Sequence, residues 1–272
     1  FEPLSELSIT IYYGERCYRP DTDRNEHKIL ITGHPGSRTH SFFEKGDALH
    51  KVEFSHENKI AHWYTIAAIE IMTKKNKNVV VCFGDSITDG RGSTDDKQNR
   101  WTDHLATLGK DRFAVLNQGI GGTCVGIHGI NRFKDDVLDQ KGISHIIMLY
   151  GINDIIYLNS TKDNVIEVYK NLIEQARKNK IKIFGCTILP FGKFSEFTEE
   201  KDKIRREINN WIKNTSSQDG GFDGVFDFEN LTMDFDDNKN LAAPFDCSDG
   251  LHPSAEGYKQ MATAFTDLSC FL

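Results

Sequence analysis

From residue 79 onward, short β-branched runs alternate with helix-patterned stretches, and a chain built that way is expected to fold as βαβ units on a parallel sheet. The runs are Val79 to Phe83, Phe113 to Asn117, His145 to Tyr150, Ile181 to Thr187 and Gly224 to Phe228. Most are continuously apolar, as strands covered on both faces are. Between them, Arg100 to Lys110, Ile130 to Asp139, Lys162 to Lys180, Glu199 to Asn214 and Ser254 to Leu268 read as helices. Thr161 and Thr198 stand where N-caps belong, and Val165, Val168, Tyr169, Leu172 and Ile173 recur at helical spacing.

Five strands with crossover helices predict an α/β fold over residues 79–272, a flavodoxin-like three-layer α/β/α sandwich with a five-stranded parallel sheet. The first 73 residues differ: Leu7, Ile9 and Ile11 alternate with Ser8 and Thr10, and Lys28 to Thr32, Lys51 to Phe54 and Ala67 to Met72 look extended. A smaller β-rich domain over 1–73 is therefore expected to precede the sheet, with Lys74-Lys75-Asn76-Lys77-Asn78 as a solvated junction. At 272 residues there is material for one large domain or two modest ones.

With 33 basic against 40 acidic residues the net charge is -7, so the basic footprint of a nucleic-acid binder is missing. No window approaches the roughly 20 apolar residues that span a bilayer. The chain reads as soluble, with secretion left open. Phe1-Glu2-Pro3 shows neither an initiator Met nor a signal peptide, so the chain is expected to begin within a longer protein or after processing. The six cysteines include no Cys-x-x-Cys pair, against a zinc ribbon or a thioredoxin-like motif. Cys82 and Cys186 fall in apolar runs and read as buried thiols, while Cys247 and Cys270, flanking the last helix, are the better candidates for a disulfide.

The chemistry begins at Gly84-Asp85-Ser86-Ile87-Thr88-Asp89-Gly90, which puts a serine at the carboxyl edge of the first sheet strand, where open α/β folds keep their sites. A serine hydroxyl needs a base to take its proton, and the base works best when a carboxylate orients it. Asp249-Gly250-Leu251-His252-Pro253, just before the final helix, offers both: Asp249 orients, His252 abstracts, Ser86 attacks. Acyl transfer also needs fixed donors for the developing oxyanion. Gly119, in Asn117-Gln118-Gly119-Ile120-Gly121-Gly122 after the second strand, is expected to present a backbone N–H, and Asn153, in Gly151-Ile152-Asn153-Asp154 after the third, its side-chain amide.

In these four blocks the chain resembles the SGNH, or GDSL-like, hydrolase superfamily, over roughly residues 79 to 268. The resemblance implies Ser86 as nucleophile and first oxyanion donor, Gly119 and Asn153 as further donors, and a triad completed by Asp249 and His252. It implies no cofactor and no metal. Asp89-Gly90-Arg91-Gly92-Ser93-Thr94, Asn99-Arg100-Trp101 and Pro190-Phe191-Gly192 are similar to a bacterial subgroup associated with carbohydrate esters, in which a β-sandwich region commonly precedes the catalytic domain.

Rival readings fail on detail. In Gly119-Ile120-Gly121-Gly122 the third glycine of a dinucleotide fingerprint would fall at Cys124, and Ser86 lies in Gly-x-Ser-x-Thr rather than a Gly-x-Ser-x-Gly elbow. Asp234-Phe235-Asp236-Asp237-Asn238 lacks the glycine and terminal glutamate of a calcium loop. A carbohydrate-binding protein on a decayed hydrolase fold is the alternative from another class, and a lipid or thioester acylhydrolase the alternative within the superfamily. Arg91, Trp101 and Arg132, near loops at the active edge, are expected to contact substrate, and that mix of side chains suits a polar ester. The reading is a short-chain, acetyl, ester on a saccharide, or another small-molecule ester, with no nucleic acid partner and an oligomeric state on which the sequence is silent.

Overall fold

The computed structural model describes residues 7–12, 17–18, 29–30, 33–34, 36–51, 53, 57–66, 68–72 and 77–271. The chain divides into two compact units, residues 1–73 with 95–98, and residues 74–94 with 99–272.

In the larger unit, five strands form one parallel sheet: β1 (Asn78–Gly84), β2 (Phe113–Gly119), β3 (Ile143–Leu149), β4 (Lys182–Cys186) and β5 (Gly224–Phe226), in the order β5-β4-β3-β1-β2. Val79, Val80 and Val81 open β1, and β-branched side chains favour the pleated conformation. Central β1 lies between β2 and β3, with Cys82 opposite Asn117 on one side and Ile147 on the other. Because β1 and β3 are covered on both faces, Val80 to Phe83 and Ile146 to Leu149 are buried.

The helices that matter for the site are α1 (Ser86–Asp89), α2 (Trp101–Gly109), α3 (Ile130–Phe133), α4 (Ile152–Tyr157), α5 (Lys162–Lys178), α6 (Glu199–Asn214), α7 (Phe228–Thr232) and α8 (Ala255–Ala262). Short wide turns, Val125–Gly129 and Lys134–Leu138, extend α3 at both ends. Thr161 Oγ1 accepts from Asn164 N and Thr198 Oγ1 from Lys201 N, so each expected cap is made. Trp101 of α2 meets the rings of Phe228 and Phe265 at 5.5 and 6.0 Å, joining α2, α7 and α8 on one face of the sheet. On the other face, Tyr169 of α5 meets Trp211 of α6 at 6.1 Å.

Where β4 ends, a buried charge network fixes the chain. The fully buried Arg205 donates to Asp202 Oδ1, to the Ile188 carbonyl and to Glu229, tying α6 and α7 to the segment after β4. Burial alone would raise the Glu229 pKa, but the Arg205 and Lys213 cations outweigh it and hold it below the usual carboxylate range.

The disulfide expectation is corrected: Cys247 and Cys270 are both free. Cys247 lies in the loop before α8, while Cys270 comes after it, beside Phe271, whose carbonyl accepts from Asn78 Nδ2 at the start of β1. Cys82 and Cys186 are buried free thiols.

In the smaller unit the described strands are two residues long. Gly33–His34 pairs antiparallel with Trp63–Tyr64, Ser41–Phe42 antiparallel with Lys59–Ile60, and Cys17–Tyr18 parallel with Ile29–Leu30. Ile29–Leu30 falls within the expected 28–32 segment, but Val52 and Phe54 lie outside the described residues, as does Ala67. Residues 7–12 and 68–72 form no strand, and Leu7, Ile9 and Ile11 are exposed.

Candidate active site

The carboxyl ends of β1, β2 and β3 and the loop before α8 converge on one place. Immediately after β1, Asp85 caps α1, its Oδ1 accepting from Ile87 N at 3.0 Å, and the chain turns so that Ser86 is the first residue of the helix. A first-turn N–H has no intrahelical acceptor, which leaves Ser86 N–H free of the helix ladder. Ser86 Oγ lies 2.8 Å from His252 Nε2. His252 Nδ1 lies 2.7 Å from Asp249 Oδ2, and Asp249 Oδ1 accepts from the backbone N–H groups of Leu251 and His252 at 3.0 and 2.8 Å. A carboxylate only accepts, so the Nδ1–H donates to it and Nε2 is left to accept the Ser86 hydroxyl proton.

The electrostatics agree with that tautomer. Burial holds His252 below the usual imidazole range against the pull of Asp249, so it is neutral and basic near pH 7. Burial alone would raise Asp249, but its hydrogen bonds from His252 hold it low and charged. The loop is seated by close backbone approach: Gly92 has φ +92°, and a Cβ there would lie 2.2 Å from the Pro253 carbonyl oxygen.

Asn153 is 3% exposed, and its Nδ2 donates to the Thr123 carbonyl at 2.9 Å. That acceptor fixes which end of the amide is nitrogen and occupies one of its two hydrogens. Asp154, next in sequence, receives Val125 N and Gly126 N, each at 2.8 Å, and so caps the turn that follows the β2 loop.

Gly119 is placed differently from expectation. It is the last residue of β2, its N–H donates to Asn117 Oδ1 at 2.9 Å, and a Cβ there would lie 2.1 Å from Asp89 N. Its lack of a side chain serves packing against α1. Two residues on, an ideal Cβ on Gly121 would come 3.7 Å from Ser86 Cβ, and Gly122, at φ +75°, faces open space. Among the described residues no acceptor takes either N–H. The glycine doublet was visible in the sequence, but β2 runs two residues past its expected end, and that shift moves the turn from Gly119 to Gly121-Gly122.

Two of the three expected substrate contacts are also corrected. Trp101 is fully buried among Phe228 and Phe265, on the core side of α2. The Arg132 side chain is 13% exposed and bound to strand-end carbonyls, not directed outward. Arg91 stays at the mouth, 68% exposed with Nε 3.9 Å from Asp249 Oδ2.

One carboxyl beneath the site is unusual. Asp85 is fully buried and its Oδ2 has no hydrogen-bond partner among the described residues. Burial, reinforced by the nearby Asp154, pushes its pKa up to about 7, although Ile87 N and Arg132 favour the charged form.

Residues 82–260 match a family model described as the GDSL-like lipase/acylhydrolase family. The chain belongs to this family. Over 121 residues it is 37% identical to an uncharacterized lipoprotein, YqeF, of Bacillus subtilis (strain 168), a match covering 41% of this chain and 48% of the relative. The match thus spans about half the length of that relative. Among solved structures, a GDSL-like lipase from Bacteroides thetaiotaomicron VPI-5482 superposes with a TM-score of 0.56 at 24% identity, covering 73% of this chain and 90% of the other. The native aryl esterase of M. smegmatis gives 0.58 at 17%, covering 72% and 100%. At these identities the likeness is one of fold. Among the described residues no helix is long and apolar enough to cross a membrane.

Proposed function

We propose that this family member is a serine esterase acting through a Ser86–His252–Asp249 triad and an acyl-enzyme. The observation that carries the reading is the line Ser86 Oγ to His252 Nε2 at 2.8 Å and His252 Nδ1 to Asp249 Oδ2 at 2.7 Å. Ser86 Oγ attacks the ester carbonyl as Nε2 takes its proton. The imidazolium, held by Asp249, returns that proton to the departing alcohol, and water repeats the sequence on the acyl-enzyme. The oxyanion is received by Ser86 N–H, by the free Asn153 amide hydrogen and by an N–H of the Gly121-Gly122 turn.

The acyl group we assign is short, acetyl being the smallest. Gly122, one residue beyond the glycine that approaches Ser86, faces open space, so a long chain directed there would gain little of the roughly 0.8 kcal/mol available per buried methylene. A saccharide is the alcohol we assign, supported now by the exposed Arg91 alone, since Trp101 and Arg132 serve the core. Residues 79–272 would be the catalytic unit and 1–73 an accessory region.

The test is hydrolysis of p-nitrophenyl esters of increasing acyl length by the wild type and Ser86→Ala. Cleavage that falls with chain length and disappears in the variant is expected. Equal cleavage by both proteins would refute the mechanism, and faster turnover of a phospholipid or thioester than of an acetylated sugar would refute the substrate.

A further inference from the structure

Arg132 was expected at the substrate, yet it lies under the site in an arrangement that no substrate role requires. Its guanidinium packs over the Phe83 ring at 4.3 Å and the Tyr150 ring at 5.7 Å, an apolar setting that suits this weakly hydrated cation. Nη1 pairs with Asp136 Oδ2 at 2.8 Å. Nη2 reaches three oxygens: the Gly84 carbonyl at 2.8 Å, the Gln118 carbonyl at 2.8 Å and the Tyr150 hydroxyl at 3.1 Å. Gly84 ends β1, Gln118 is the penultimate residue of β2 and Tyr150 directly follows β3, the three strands from which the oxyanion donors hang: β1 leads into Ser86, β2 into Gly121-Gly122, and β3 into Asn153.

The bonds beyond Tyr150 have one direction. Thr123 Oγ1 spends its hydrogen on the Ile120 carbonyl at 2.7 Å, so the Tyr150 hydroxyl donates to Thr123 and itself accepts from Arg132. Burial raises the Tyr150 pKa, which keeps that hydroxyl protonated. Thr123 then closes the turn carrying Gly121 and Gly122, and its carbonyl accepts from Asn153 Nδ2. Ile120 N–H returns to the Gly84 carbonyl at 3.1 Å, the same oxygen Arg132 holds.

We propose that Arg132, acting through Tyr150 and Thr123, is a positioning residue that sets the geometry of the oxyanion donors. The proposal rests on the esterase reading above. It touches no substrate atom; it fixes the spacing among three strand ends, and a displacement of about 1 Å at a reacting centre is enough to cost roughly 100-fold in rate.

The discriminating variant is Tyr150→Phe, which removes one oxygen and keeps the ring under Arg132. Short-chain ester hydrolysis is measured below the melting temperature for Tyr150→Phe, Asn153→Ala, the double variant and Arg132→Lys. We expect a fall in kcat of roughly 10-fold for Tyr150→Phe with KM within about twofold, as for a contact felt only in the transition state. On the Asn153→Ala background the same change should cost clearly less than in the wild type, because one of the donors it positions is already gone while the Gly121-Gly122 turn remains. Arg132→Lys, which keeps the charge and loses the planar fork, should fall at least as far as Tyr150→Phe. An unchanged kcat in Tyr150→Phe, or losses that simply multiply in the double variant, would overturn the proposal while leaving the triad intact. Loss of all hydrolysis in Ser86→Ala remains the separate check on the triad.

Discussion

Replacing Asn153 by Ala separates a transition-state donor from a structural amide. In the folded protein Asn153 is buried, one amide hydrogen is held by the Thr123 carbonyl at 2.9 Å, and the proposed oxyanion role falls to the other. Truncation therefore has two costs. Loss of a preorganised oxyanion donor should lower kcat by roughly 10²–10³-fold, with KM nearly unchanged because the ground-state carbonyl carries little charge. Loss of the bond to Thr123 leaves a buried carbonyl unsatisfied, worth about 1–3 kcal/mol of stability. For a folded unit of this size, that corresponds to roughly 2–12 °C in melting temperature. Steady-state kinetics on p-nitrophenyl acetate, with thermal denaturation of the same samples, measures both. Asn153→Asp should be no better than Ala, since it substitutes an acceptor for the donor. A kcat within about threefold of wild type in a folded variant would remove Asn153 from the oxyanion site.

Trp101→Ala should destabilise by roughly 3–5 kcal/mol in urea unfolding while leaving KM unchanged, because the ring is core and not a substrate platform; a raised KM without lost stability would restore the substrate role. Arg205→Ala should cost roughly 3–5 kcal/mol in the same assay, since it strands Asp202 and Glu229 in the interior, and a loss under about 1 kcal/mol would contradict that account. Arg91 lowers the pKa of His252, and the rate is lost as pH falls through that pKa. In Arg91→Ala the acid limb of kcat/KM should therefore move to higher pH at low salt and return toward wild type at high salt, as expected for an exposed cation. An acid limb unmoved at low salt would contradict it.

What the sequence carried legibly was whatever depends on the order of residues along a strand or helix. Val79-Val80-Val81 announces a buried strand whatever surrounds it, and Thr161 and Thr198 cap the helices that follow them. Ser86 and Asn153 could be assigned to one edge because a parallel sheet sends every strand's end the same way, and His252 because its loop precedes the final helix. What it did not carry was direction around an axis and distance across the fold. Trp101 and Arg132 sit near the ends of helices at the active edge, but the rotation of each helix turns them inward. Gly119 was misread because β2 continues two residues farther than its apolar run. Cys247 and Cys270 flank one helix in the sequence, but whether their sulfurs meet depends on the course of the segments on either side, and both are free. The links through Thr123, Tyr150 and Asp154 left no local signal, since each is ordinary in its own segment and acquires its partner only when three strands come together.

The carboxyl next to the nucleophile also shapes how the protein meets acid. Asp85 has a folded pKa of about 7 against an ordinary value of 3.8, so between those values the folded chain keeps a proton that the unfolded chain gives up. Folding is then proton-binding at this position, and the contribution to stability is fully present below the lower value and lost as pH rises through the upper one, by up to about 1.4 kcal/mol for each pH unit crossed. Most carboxylates in a fold work the other way and weaken it on acidification. The residue beside Ser86 therefore offsets part of that weakening between the two values, a proton held in the wall behind the serine rather than given up.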